Sequence, residues 1–214
     1  IEAVRDGRRT FGNSMKYIFT TSSANFGNMF SLAFASLFLR FIPLLPAQVI
    51  LLNLLSDVPN LALSTDKVDS EYLKKPKHWD IHEIGRFMVT FGLISSIFDF
   101  LTFFLLLYAT LNLADPKGMF RAGWFLESLA TEILVIFIIR TRRSFWKSKP
   151  SSLLLIIGGI VAAIGVGLIY LPVSKIFKFV APPVQILAVI GLILFAYLCL
   201  TEVGKRIYYR KADV

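Results

Sequence analysis

Cysteine is almost missing from this sequence. Cys199 stands alone among 214 residues, so no intrachain disulfide can form and no metal cluster can be built from thiolates. It falls in the last apolar stretch, where a cysteine serves as a small apolar side chain. Histidine is nearly as scarce. His78 and His82 are four apart with no third ligand close by pattern, so they read as loop residues rather than a zinc pair. There is no GxxxxGK[ST] phosphate loop, no GxGxxG, no HExxH and no nucleophile–histidine pair, so nothing here can cleave ATP alone. Neither a repeat of fixed period nor a low-complexity tract is present. The first 13 residues (IEAVRDGRRTFGN) are polar and basic, so they are not expected to act as a cleavable signal peptide. The chain opens on Ile1, and the expectation is a piece of something longer.

What is abundant is apolar sequence. Hydrophobic residues make up 56% and the mean hydropathy is +0.67, above the roughly 45–50% apolar content of a soluble domain. These residues come in runs long enough to cross a bilayer as helices. The expected fold is all-α, a bundle of six transmembrane helices near 14–42, 46–65, 84–111, 120–139, 152–171 and 184–203, with 1–13 a cytosolic lead-in and 14–214 the membrane domain. The first of these, at about 1.5 Å per residue, exceeds the ~30 Å hydrocarbon core, so its start is expected to project as a stalk. Gly27, Ser31 and Ala35, and again Gly159, Ala163 and Gly167, recur at four-residue spacing and predict faces for close helix approach. The net charge of +9 could suggest nucleic acid, but Lys and Arg lie between the apolar runs. With six spans, 17 of them fall on the side of the chain ends and five on the other, Arg86 being at a boundary. That split predicts both termini in the cytoplasm and a lipid bilayer, not nucleic acid, as the partner.

The second span carries the densest chemistry. Asn53, Ser56, Asp57 and Asn60 fall at i, i+3, i+4 and i+7, so a helix places four oxygen-bearing side chains on one face. Pro59 has no N–H and crowds the carbonyl of Leu55, which predicts a break or unwinding near Asp57–Pro59. An unwound segment with a carboxylate is what a hard cation needs. The other reading is a kinked helix whose Asp57 bonds a neighbour. Asn25 and Asn28, three apart on the first helix, face the same way and suit either ligation or interhelical hydrogen bonding. Asp99 sits among aromatic residues in the third span. Glu127 and Glu132 are about 140° apart around the fourth, so at most one is expected to face the bundle centre. Glu202, near the end of the last span, is expected to snorkel or pair with Lys205.

The stretches GRRTFGNSMKYI, SSANFGNMF, QVILLNLLSDVP and STDKVDSEYLKKPKHWD together resemble the P-type cation-transporting ATPases. The last of these and ISSIFDFLTF around Asp99 are most similar to the bacterial magnesium-translocating branch. The resemblance covers essentially the whole chain, as the C-terminal six helices. It implies that the transported cation, magnesium, is held by Asn25 and Asn28 on the first helix and by Asn53, Ser56 and Asp57 on the second. Asp99 and Glu127 are the residues that could stand behind them. Asn28 occupies a position that is glutamate in calcium pumps, which implies fewer ions per cycle, and Ser56 replaces a threonine. The family's DKTGT phosphorylation motif, TGES loop, nucleotide-binding domain and an earlier site-completing helix are not in this chain. ATP binding and hydrolysis would therefore belong to missing actuator, phosphorylation and nucleotide domains, with no cofactor held here. The implied setting is the bacterial inner membrane, the implied mechanism alternating access driven through the stalk. The rival class is a stand-alone channel, secondary carrier or non-catalytic membrane subunit; a carrier would usually show two related halves, and none is visible.

Overall fold

A computed structural model describes residues 2–70, 73, 78–111 and 115–212. The described residues form six α-helices and no strand: α1 (Glu2–Phe38), α2 (Pro46–Ala62), α3 (Ile81–Thr110), α4 (Pro116–Ile139), α5 (Ser152–Tyr170) and α6 (Val184–Ala212). Five of them, α2 with its 3₁₀ extension and α3 to α6, are long and apolar enough to cross a membrane. α1 is the exception because its second half carries Thr20, Ser23, Asn25, Asn28 and Ser31. Three of these polar residues, Thr20, Ser23 and Ser31, are buried against protein.

α1 also starts earlier than expected. The basic lead-in is part of one helix of 37 residues, about 55 Å long at 1.5 Å per residue. Residues 2–11 contain no proline and one glycine, so nothing stops the helix from extending. α2 is likewise continuous from Pro46 to Ala62 with Pro59 inside it, where a break was expected. Proline removes only the bond to the Leu55 carbonyl, and the next turn is secured by Asn60, whose Nδ2 donates to the Ser56 carbonyl at 3.0 Å. Leu63–Thr65 then tighten into a 3₁₀ turn. α3 is started by Asp80, whose carboxylate accepts from the His82 and Glu83 amides. Those backbone bonds, Glu83's first, hold its carboxyl below the ordinary aspartate value. Lys74, Lys75 and Lys77, part of the charge asymmetry, lie outside the described residues.

α4 is the central helix. It packs against α1, α2, α3, α5 and α6, and most of its residues are buried. α1 lies chiefly along α3, and the two touch at Gly27 and Gly92. A Cβ built on Gly27 would sit 3.0 Å from the Gly92 carbonyl oxygen, so the small-residue stripe Gly27–Ser31–Ala35 does what its spacing predicts, and all three are buried. The stripe on α5 is placed differently. Gly159 and Ala163 are exposed, and the packed face is Leu154, Gly158, Val161, Gly165 and Ile169. Gly158 and Gly165, seven apart, receive the side chains of Phe137 and Leu129. In a helix this rich in glycine, two small-residue stripes compete, and the bulk of α4 selects between them.

Candidate functional site

The residues expected to face a cation lie where α1, α2 and α4 meet, and they divide between the interior and the surface. Ser56 is buried, Asn28 and Asn53 are half-buried, and Asn25 and Asp57 are exposed. The Asn28 amide donates to a carboxylate oxygen of Glu132 on α4. The Ser56 hydroxyl, which also neighbours Glu132, donates to the Asn53 carbonyl at 3.1 Å. Asn60 is turned to a different task. It is buried, accepts from the Thr20 hydroxyl at 2.9 Å and ties α2 to α1. Asp57 accepts no hydrogen bond among the described residues. It is the one charged residue of α2, one turn after the half-buried Asn53, and its charge acts on Glu132 of α4. A carboxylate in that position is costly in hydrocarbon and stable only beside protein, water or a cation.

Glu132 is the group that the sequence pattern does not single out. Two glutamates about 140° apart predict one inside, yet Glu127 and Glu132 are both buried. The angular argument assumes a helix with one protein face, whereas α4 is enclosed on all sides and has no outside in its middle. Glu132 thus becomes the buried carboxylate that Asn28 bonds and Ser56 neighbours. Asp99 and Glu127 form a second group. Asp99 accepts from the Ser31 hydroxyl at 2.6 Å and from the Trp124 indole N–H at 2.8 Å. Trp124 is itself fixed edge-on by Phe103, ring centres 4.6 Å apart. Glu127 lies against Asp99.

A third polar centre ties the start of α1 to two loops. The fully buried Asp66 accepts from Lys16 Nζ at 2.7 Å, from Arg140 Nη1 at 3.0 Å and from the Ser151 amide at 3.1 Å. Asn13 bonds the Asp66 carbonyl, and Asp69 accepts from the Thr141 hydroxyl at 2.8 Å. Nearby, Lys205 is buried against the carbonyls of Ile138 and Arg143 and pairs with Glu202 at 2.8 Å, the partnership expected of that glutamate. This centre joins α1, the residues after α2, the end of α4 and the start of α5, and through Lys205 it reaches α6.

No group of three or more His, Cys, Asp or Glu among the described residues is arranged to hold a metal ion. The donors gathered at α1 and α2 are instead amide and hydroxyl oxygens beside single carboxylates. That set suits a hard, strongly hydrated cation that keeps part of its water shell, and suits zinc or a soft metal poorly.

Comparison with known proteins bears on the family of the chain. The family model for the C-terminus of cation-transporting ATPases matches residues 41–207. The chain is 42% identical over 212 residues to a magnesium-transporting P-type 1 ATPase of Escherichia coli K12, covering 98% of this chain and 24% of that protein. The corresponding protein of Salmonella typhimurium LT2 is 41% identical over the same length and shares. A calcium-transporting ATPase of Bacillus subtilis is 27% identical over 202 residues, 89% of this chain and 22% of that one. The chain thus spans about a quarter of the length of the magnesium-transporting relatives. Its matched length, its apolar helices and the polar groups between them have one reading: the chain belongs to the cation-transporting P-type ATPases, of which it is a C-terminal membrane region.

Proposed function

We propose that this chain is the transport region of a P-type pump that moves magnesium into the cytoplasm. Asp57 carries the charge of the site, and Asn25, Asn28, Asn53 and Ser56 supply neutral oxygens. The observation that carries the reading is the meeting of Asn28, Ser56 and Glu132 beside an Asp57 that no described residue satisfies. Asp57 and Asn25 are exposed on this chain, as they would be if a further helix of the longer protein completed the site. Magnesium gives up water reluctantly and asks for near-octahedral oxygen ligation, so one carboxylate with amides and retained waters is a suitable shell. Glu132 stands behind Asn28 and Ser56, with Asp99 and Glu127 deeper on α3 and α4.

In this reading α1 is the sixth span, residues 1–13 lead into its stalk, and both termini face the cytoplasm of a bacterial inner membrane. Pro59 leaves the Leu55 carbonyl without its helical partner, a point where α2 can open locally towards the cation. ATP is bound and cleaved in actuator, phosphorylation and nucleotide domains outside this chain. Movement of the stalk reaches the site through α1, which holds Asn25 and Asn28 and grips α3 at Gly27. The cargo is tested with the full-length pump in sealed vesicles containing a magnesium-sensitive dye. ATP-dependent magnesium movement that equal calcium does not replace is expected; calcium movement without magnesium movement would reassign the cargo.

A further inference from the structure

We propose that Asp99 and Glu127 form a proton-binding site inside the helix bundle, two carboxyl groups holding one proton between them, apart from the side chains proposed to carry the cation. Glu127 is fully buried, and neither of its carboxylate oxygens has a hydrogen-bond donor among the described residues. What lies within hydrogen-bonding reach of it is the carboxyl group of Asp99. An ionised carboxylate only accepts, so two ionised groups in contact leave each other unsatisfied and repel. A proton between them turns that contact into a hydrogen bond and removes one of the two buried charges.

The neighbours decide which group carries the proton. The donors at this position point to Asp99: Ser31 from α1 bonds it at 2.6 Å and Trp124 from α4 at 2.8 Å, and the Ser128 hydroxyl neighbours it as well. Hydrogen bonds to an ionised acceptor are the strong ones, so Asp99 is the anion and Glu127 the acid that donates to it. The remaining titratable groups facing the pair are Glu132 on α4 and the buried Tyr197 on α6. Ser128 on α4 and Ser31 on α1 are neutral. Among the described residues no lysine, arginine or histidine is hydrogen-bonded to either carboxyl, so none of them takes the proton's place at hydrogen-bonding range. Glu132 is not a substitute partner, because it is engaged by Asn28.

The proposal does not depend on the cation reading, and its test reads protonation directly. Infrared spectra of the full-length pump in lipid, in its resting state at neutral pH, report the carbonyl stretch of a protonated carboxyl separately from carboxylate bands. The wild type is expected to show such a band, shifted by carboxyl-labelled glutamate, absent in Glu127→Gln and retained in Glu132→Gln. Should Glu127→Gln fail to fold, Glu127→Asp keeps the acid, and its band should no longer respond to labelled glutamate. Spectra that match between wild type and Glu127→Gln in this region would overturn the proposal, as would a band lost only in Glu132→Gln or a folded wild type with no glutamate-sensitive band.

Discussion

Asp66 is fully buried and holds two cations, and its removal should be felt more than that of any surface charge. Asp66→Asn keeps the shape but leaves Arg140, whose side chain is 1% exposed, beside Lys16 at 11% with no anion between them. Breaking a buried pair from one side costs about 3–5 kcal/mol, and the partial exposure of Lys16 argues for the lower end. The expected result is a melting temperature in detergent several degrees below wild type; an unchanged melting curve would show that the cluster is solvated. At this scale the sequence was only partly legible. The pairing of Glu202 with Lys205 follows from spacing, and Asn28 does reach another helix. Asn60 shares a face with Asn53, Ser56 and Asp57, yet it is drawn off by Thr20, a partner 40 positions away that no local pattern shows. Glu132 escaped for the same kind of reason, because helical periodicity says where a side chain points and not what surrounds the helix.

Among elements, the crossing of α1 and α3 is the main contact through which the proposed stalk movement would pass. Gly27→Val places carbon where the Gly92 carbonyl and Ser95 already lie, at 3.0 and 3.2 Å from an added Cβ. Overpacking of this kind costs about 1–3 kcal/mol. It also spreads α1 from α3 one turn away from the Ser31–Asp99 bond. Transport by the full-length pump should fall several-fold with insertion preserved, whereas Gly159→Val, at a site with nothing within 4 Å, should leave it unchanged. Equal effects of the two substitutions would remove the crossing from the mechanism. The stripe on α1 was readable because only one set of small residues runs along that helix. On α5 two sets run side by side, and the burial of Gly158 and Gly165 rather than Gly159 is decided by Phe137 and Leu129, which belong to another helix. The continuity of α2 has a similar lesson. A proline deletes one hydrogen bond, and side chains such as Asn60 settle whether the helix survives.

For the whole molecule, the charge asymmetry predicts a topology that labelling can test. In a full-length pump with Cys199→Ala, a cysteine placed at Lys117 should react with an impermeant reagent from outside intact cells, and one at Lys77 should not. The reverse pattern would invert every span. Length and hydropathy made the all-helical membrane fold legible, because bilayer thickness sets a length that apolar runs either reach or do not. α1 was the harder case, since the polar residues that pack it against protein are those that lower its hydropathy. The outward side of the proposed cation site was the least legible part, because Asn25 and Asp57 are exposed on this chain.

Asp57 is where these scales meet, and Asp57→Asn tests the account most directly. The substitution is close to isosteric and Asp57 is exposed on this chain, so packing should change little. It removes the one formal charge on α2 available to offset a dication's lost hydration. Amide oxygens of Asn25, Asn28 and Asn53 carry no charge to replace it, and each loss of about 1.4 kcal/mol is a tenfold loss of affinity. The measurement is magnesium-dependent growth of a transport-deficient strain carrying the full-length variant, with its membrane level measured alongside. The account predicts no rescue at wild-type expression; normal growth at wild-type expression would contradict it.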